Sequence, residues 1–249
     1  MNLIWSAGIA TVNPLPSQAK LNRYYEKFHA DLKEEFNFKR EQKRLKHIQQ
    51  FKTKGRLLDL GAGQGYFVAV VNQTPGWQAT GQDISVKAAW LAKRKFNLNL
   101  LTGEINNLKL KNNYFDVITL HSVLEHLRDP DQVIVICFKK LKPGGLLVFS
   151  VPNLNSFEFY LSLFLRRPYP GYIFEHLHYF TPIGIRRLLK RHNFTELQLT
   201  SRHYSPIESL SWKPYRLLTN LAKRILEYTD LGGRLCFGNI IYVYAQKPD

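Results

Sequence analysis

The stretch Arg56-Leu57-Leu58-Asp59-Leu60-Gly61-Ala62-Gly63-Gln64-Gly65-Tyr66-Phe67 constrains the fold more than any other. A short apolar run stops at three alternating glycines, and apolar residues resume at Phe67, Val68, Val70 and Val71. That order predicts a buried strand, a tight turn and the first turns of a helix. Glycine lets the backbone bend sharply and lets a ligand press against bare main chain. The helix behind such a turn aims unsatisfied N–H groups at an anionic ligand. An ordinary strand-to-helix turn is the plain alternative.

Spacing narrows the ligand class. A dinucleotide fingerprint places its third glycine three positions after the second. Here that position is Tyr66, and the glycine stands at Gly65. The arrangement Asp59-Leu60-Gly61-Ala62-Gly63-Gln64-Gly65 instead resembles motif I of the class I S-adenosylmethionine (SAM)-dependent methyltransferases.

Composition sets outer bounds. A chain of 249 residues suits one α/β domain with an added segment and can bury a substantial core. Cys137 and Cys236 give neither a disulfide framework nor a clustered metal site; both fall in apolar stretches and are expected reduced, buried and cytoplasmic. The formal charge of +16 favours acidic partners: RNA, an anionic membrane surface or phosphorylated substrates. A solvated basic surface is the alternative. No run approaches the roughly 20 apolar residues of a spanning helix, and Met1 to Ala10 lacks a basic leader, so no signal peptide is expected.

Along the chain, Met1 to Gln18, with Pro14 and Pro16, reads as a loose arm. Leu21 to Phe51 has the spacing of two amphipathic helices, including Tyr24, Tyr25, Phe28, Leu32, Phe36, Leu45 and Ile48. A second strand over Trp77 to Ile84 ends in Gln82-Asp83-Ile84. Asp83 sits where a Rossmann-like domain places its ribose-binding acid, although an acid after a strand also caps helices. A helix over Val86 to Phe96 and strands at Leu98 to Leu101, Tyr114 to His121 and Leu146 to Val151 follow. Between the last two strands, a helix over Asp131 to Leu141 ends at Lys142-Pro143-Gly144-Gly145, a Pro/Gly stop. This alternation argues for a mostly parallel sheet covered by helices on both faces.

Phe115-Asp116-Val117-Ile118, then Leu124-Glu125-His126-Leu127-Arg128-Asp129-Pro130, then Leu141-Lys142-Pro143-Gly144-Gly145, resemble the methyltransferase subgroup that includes the ubiquinone-pathway O-methyltransferases. Glu175-His176-Leu177-His178-Tyr179-Phe180-Thr181 is similar to a stretch in relatives of that group, so the resemblance covers about Arg56 to Phe194. It implies a Rossmann-like, seven-stranded, mostly parallel sheet whose last strand, here Phe237 to Ala245, is antiparallel. It also implies residues 1–51 as an arm with cofactor-covering helices, in which Tyr24 or Tyr25 touches the methionine end. Residues 52–249 are then the methyltransferase domain.

The resemblance further implies SAM as cofactor. Asp59, Gly61, Ala62, Gly63 and Gly65 would form the methionine turn, Asp83 and Ile84 the ribose side, Glu104 and Ile105 the adenine frame, and His121 the sulfonium side. His126, His176 and His178 are base candidates, each with an ordinary structural role as its alternative. In the ubiquinone-pathway enzymes an acid three places before the glutamate can join the Glu-His pair in metal binding. Here that place is Ser122, and no metal is expected.

Residues 153–180 form an aromatic segment, with Phe157, Phe159, Tyr160, Phe164, Tyr169, Tyr172 and Phe174 beside Arg166 and Arg167. It reads as an acceptor lid, a membrane-facing surface, an RNA-stacking surface or plain packing. Pro182 to Arg191 reads as a helix and Glu196 to Arg202 as the next strand. Leu210 to Tyr228 reads as a basic amphipathic helix, with Trp212 and Lys213. The expected activity is methyl transfer to a small-molecule or lipid-related acceptor, oxygen favoured. An RNA methyltransferase is the alternative prompted by charge, without an Asn-Pro-Pro-Tyr or catalytic-cysteine motif. A non-catalytic SAM-fold module at a membrane or in a complex is the other.

Overall fold

The computed structural model describes all residues except 1, 18, 22, 25–37, 170, 174 and 203–235. In chain order its elements are β1 (Asn2–Ser6), β2 (Ile9–Asn13), α1 (Phe38–Ile48), β3 (Gly55–Leu60), α2 (Tyr66–Asn72), β4 (Trp77–Asp83), α3 (Val86–Phe96) and β5 (Leu101–Thr102). There follow β6 (Phe115–His121), α4 (Pro130–Lys140), β7 (Leu141–Pro152), α5 (Phe157–Phe164), β8 (His178–Phe180), α6 (Pro182–Arg191), β9 (Thr195–Arg202) and β10 (Ile240–Gln246).

Local chemistry explains most boundaries. Ser85 caps α3 by accepting from the Ala88 N–H, and Asn97 ends it in the left-handed conformation behind Lys93, Arg94 and Lys95. Asp129 caps α4 with Pro130 in the first helical position, and Thr181 caps α6 with Pro182 placed likewise. The Lys142-Pro143-Gly144-Gly145 stop works one residue earlier than expected. Helix α4 ends at Lys140, Leu141 is already extended, and the Pro-Gly-Gly run lies inside β7.

Seven strands form one sheet in the order β5-β4-β3-β6-β7-β10-β9. The pairs from β5 through β7 are parallel, whereas β10 runs antiparallel to both β7 and β9. The last strand is therefore the antiparallel one, as the resemblance implied. Parallel strands buried on both faces carry continuous apolar runs. On one face Leu58, Leu60, Ile118, Leu120, Leu147 and Phe149 pack with Ile134 of α4 and Leu188 of α6. On the other, Leu57, Val117 and Val148 meet Leu45 and Ile48 of α1 and Phe67 and Val71 of α2.

The loose arm expected over Met1 to Gln18 is corrected. Residues 2–13 form a hairpin, β1 with β2, turned by Ala7 and Gly8 at φ of 52° and 90°. A two-residue turn with both φ positive matches the twist of a hairpin. Pro14 directly follows the end of β2, and Pro16 lies beyond it. Strand β2 also pairs with β8, Ala10 opposite Tyr179 and Thr11 opposite His178, making a separate three-stranded sheet. Ala10 and Val12 bury themselves among Leu154, Tyr169 and Tyr179.

The aromatic segment after β7 is divided between packing and exposure, Tyr160 and Tyr172 standing partly in solvent. Phe159, Tyr169, Tyr172, Tyr179 and His176 meet in a chain of edge-on ring contacts, with centroids 5.2 to 6.0 Å apart. Phe164, by contrast, is 83% exposed. Tyr25, Phe28, Leu32, Phe36 and Phe174, and the expected helix from Leu210 to Tyr228, lie outside the described residues.

Candidate functional site

The three glycines after β3 have different work. All have positive φ, 71° at Gly61, 54° at Gly63 and 77° at Gly65. A Cβ on Gly61 would stand 2.4 Å from Val123 Cγ2, so that turn passes close under the loop after β6. A Cβ on Gly65 would stand 3.0 Å from the Ala92 Cβ, so Gly65 lets α2 approach α3. At Gly63 a Cβ would meet nothing within 4 Å. It borders open space.

That space is a cavity of about 610 Å³, a size suited to a cofactor or small ligand. Gly61, Gly63, Asp83, Ile84, Glu104 and Ile105 line it, as do Tyr24, His126 and His176. Asp83 is buried at the tip of β4. Its Oδ2 accepts from the Gly63 N–H at 2.7 Å and its Oδ1 from the Ser85 N–H at 2.9 Å. Each carboxylate oxygen keeps a further lone pair for a ligand hydroxyl. Tyr24 hydrogen-bonds the Glu175 side chain, and burial, that bond and the Glu175 charge push its phenol up to about 12.

Gln82 belongs to this wall and escaped sequence reasoning, which read it only as the strand residue before Asp83. Its Oε1 accepts from the Gly61 N–H at 3.3 Å while its Nε2 donates to the Gly103 carbonyl at 2.6 Å. It therefore ties the glycine turn to the loop that carries Glu104. The available signal was a polar residue one place before a strand-tip acid.

Asp59, Ala62, Gly65, His121 and His178 are not in that lining. Asp59 is buried in β3 and accepts from the Thr119 hydroxyl of β6 at 2.6 Å. Burial raises its carboxyl to about 7 despite that bond. Ala62 is held through its N–H by the Gln82 carbonyl at 2.7 Å. His121 packs edge-on against Phe67 and lines a neighbouring cavity with Ser122 and Ser150. His178 is bonded through Nδ1 to the Thr11 hydroxyl of the hairpin at 3.0 Å.

His126 and His176 are brought together, with ring centroids 5.0 Å apart, although 50 residues separate them in sequence. The strand pairing explains how. Leu177 N–H donates to the Glu125 carbonyl at 2.7 Å, and β8 is then clamped by β2. His126 Nδ1 lies 3.0 Å from the Glu175 carbonyl. A carbonyl only accepts, so Nδ1 carries the proton and Nε2 the lone pair. Burial lowers the pKa of His126; burial and the neighbouring His126 lower His176 to about 3. Both rings are neutral at pH 7. Burial raises the Glu125 carboxyl to about 8, and its Oε2 has no hydrogen-bond partner among the described residues. Glu125, His126 and His176 each offer one ligand-type atom, all within 4.8 Å of one another. Ser122 had suggested that a third donor was missing; the fold supplies an imidazole instead.

Comparison with known proteins agrees with this geometry. A family model described as a methyltransferase domain matches residues 23–199. The ubiquinone biosynthesis O-methyltransferase of Coxiella burnetii (strain RSA 331 / Henzerling II) is 31% identical over 178 residues, 67% of this chain and 75% of that protein. The protein of the same name from Vibrio atlanticus (strain LGP32) is 29% identical over 201 residues, 75% of this chain and 82% of that one. In fold, the chain is similar to a SAM-dependent methyltransferase from Archaeoglobus fulgidus, with a TM-score of 0.60 and 19% identity over 93% of this chain and all of the other. A glycine turn opening on a cavity, an acid at the next strand tip and a sheet with one reversed strand thus occur in a chain that belongs to the SAM-dependent methyltransferases of class I.

Proposed function

We propose that the cavity holds SAM with Gly61 and Gly63 along its methionine part, Asp83 accepting from the ribose hydroxyls, Ile84 beside them, and Glu104 and Ile105 framing the adenine. The methyl group then passes to an oxygen of a small or lipid-related acceptor. The open side of Gly63 and the remaining lone pairs of Asp83 fit such a ligand. Asp59 and Gly65 support the turn from behind, through Thr119 and Ala92.

SAM supplies a methyl group on an already activated sulfonium. The protein's share is alignment, exclusion of water and removal of the acceptor proton. Alignment alone is worth roughly 7–11 kcal/mol in favourable cases. The observation that carries the oxygen assignment is the bond from His126 to the Glu175 carbonyl, which makes Nε2 the ring nitrogen that would accept a hydroxyl proton. His176 packs against that ring and holds its orientation. The relatives named for ubiquinone biosynthesis support oxygen and a small acceptor.

A second reading rests on the Glu125 Oε2, which has no hydrogen-bond partner among the described residues. One carboxylate and two imidazoles suit a divalent transition-metal ion, which when bound polarises an acceptor oxygen. Glu125, His126 and His176 would hold it.

The test combines turnover with cofactor binding. Labelled SAM incubated with fractionated lipid extract should yield an O-methylated product by mass spectrometry. His126→Asn should lower kcat by about 10²- to 10⁴-fold with little change in affinity for S-adenosylhomocysteine. Asp83→Ala should weaken that affinity by roughly 10- to 100-fold. An unchanged kcat in the first variant removes the base, and unchanged affinity in the second removes the ribose ligand.

A further inference from the structure

A second cavity, of about 470 Å³, shares Ser122 with the first. Arg40, Lys43, Arg44 and His47 of α1 form one wall, with Arg202 of β9 and Tyr242 and Tyr244 of β10 also lining it. It reaches His121, Ser122 and Ser150 at the ends of β6 and β7. No aspartate or glutamate is among its described lining residues.

The sequence places these cations deliberately on one side of a helix. Positions 40, 43, 44 and 47 recur at the three- and four-residue intervals that share a helix face. Leu45 and Ile48 bury the helix against the sheet. Glu41, 1% exposed, accepts from Arg40 Nε at 2.8 Å and from Arg44 Nη1 at 2.7 Å, fixing both guanidinium groups. Across the cavity, Arg202 Nη2 lies 3.0 Å from His47 Nε2. A guanidinium only donates, so that imidazole nitrogen accepts and His47 stands neutral.

Among the described residues, with Glu41 counted, Arg40, Lys43, Arg44 and Arg202 leave three net positive charges around this hollow. Like charges so gathered repel unless an anion joins them. Burial above all, and then the Arg44 and Arg40 charges, hold the pKa of His121 well below its ordinary value at the tip of β6. Guanidinium groups match oxyanions of planar or tetrahedral geometry, and such charge-assisted bonds are strong.

We propose that this cavity binds the anionic group of the methyl acceptor, a phosphate monoester or comparable oxyanion, through Lys43, Arg44 and Arg202, with Ser122 at its boundary with the cofactor cavity. The inference rests on the reading of the first cavity as the SAM site. Among the described residues the hollow lies between one helix and two strands, a span suited to one head group, whereas an RNA backbone would call for a longer basic track. The cofactor's own carboxylate has the same chemistry as an acceptor's anion, so the experiment must separate the two.

Calorimetric titration of the full chain at constant ionic strength does so. The probes are phenyl phosphate, S-adenosylhomocysteine and a single-stranded RNA oligonucleotide. The wild type with S-adenosylhomocysteine bound should take up phenyl phosphate. Lys43→Gln/Arg202→Gln should lose at least about thirtyfold in that affinity and keep its affinity for S-adenosylhomocysteine within about twofold. Arg202→Lys, which keeps the charge, should lose less. A wild type that ignores phenyl phosphate, or a double variant that binds it equally well, overturns the proposal. So does a double variant that loses only S-adenosylhomocysteine, since the cavity would then serve the cofactor's carboxylate. Tighter binding of RNA than of phenyl phosphate, lost in the same variant, overturns the small-acceptor assignment. Failure of the wild type to bind S-adenosylhomocysteine overturns the first-cavity reading and this one with it.

Discussion

Asp59 shows how a single buried carboxyl links the site to stability. Its folded-state pKa of about 7 exceeds the ordinary 3.8, because burial outweighs the Thr119 bond. The folded chain therefore holds a proton that the unfolded chain releases. The resulting stabilisation is complete below about pH 4 and is lost as pH rises through about 7, a swing of roughly 4 kcal/mol at 1.36 kcal/mol per pK unit. Denaturant unfolding of Asp59→Asn across that window should show a flatter dependence on pH than the wild type. An identical slope would mean that Asp59 does not carry the linkage. Sequence reasoning placed Asp59 at the glycine turn but could not see Thr119 beside it, because that pairing depends on β3 lying next to β6.

At the scale of elements, the strands and helices from Arg56 to Val151 were mostly legible because each carries its own signal: an apolar run, a cap or a glycine stop. The short strand expected at Leu98 to Leu101 instead lies at Leu101–Thr102. The hairpin was not legible, because its meaning lies in a distant partner. Gly8 and Gly184 meet backbone to backbone: a Cβ on Gly184 would stand 2.4 Å from the Gly8 oxygen. The Thr181 hydroxyl donates to that same oxygen at 2.7 Å. Gly184→Ala gains helix propensity, yet the clash is with main chain that no rotamer change relieves. It should cost about 1–3 kcal/mol net, a fall of several degrees in Tm by circular dichroism. A rise in Tm would show that the hairpin yields without penalty. The same clamp sets His176 beside His126, which is why two sequence-distant base candidates converged and His178, paired with Thr11, did not join them.

At the scale of the whole molecule, the proposed lipid-related acceptor predicts contact with anionic lipid. Trp5 of β1 is 55% exposed and Phe164 of α5 is 83% exposed, while Leu3 and Phe159 from the same two elements pack into one cluster. With a formal charge of +16, such a surface suits peripheral contact. No helix among the described residues is long and apolar enough to cross a membrane. Sedimentation with phosphatidylcholine–phosphatidylserine vesicles should fall about tenfold for Trp5→Ser/Phe164→Ser and decline with salt for the wild type. Unchanged pelleting of the variant would discard lipid contact through these two side chains. The basic total was plain from composition, but its division between a cavity wall and an outer surface required the fold.

Strand order also governs how the protein can be made. Because β10 lies between β7 and β9, residues 195–202 have no neighbour in the sheet until residues 240–246 have left the ribosome. Arg202, Tyr242 and Tyr244 arrive together in that last step. A nascent chain can thus pair β3 through β7 early, while the wall of the second cavity that β9 and β10 supply forms only after synthesis has passed residue 246, a contact order that favours slow final closure.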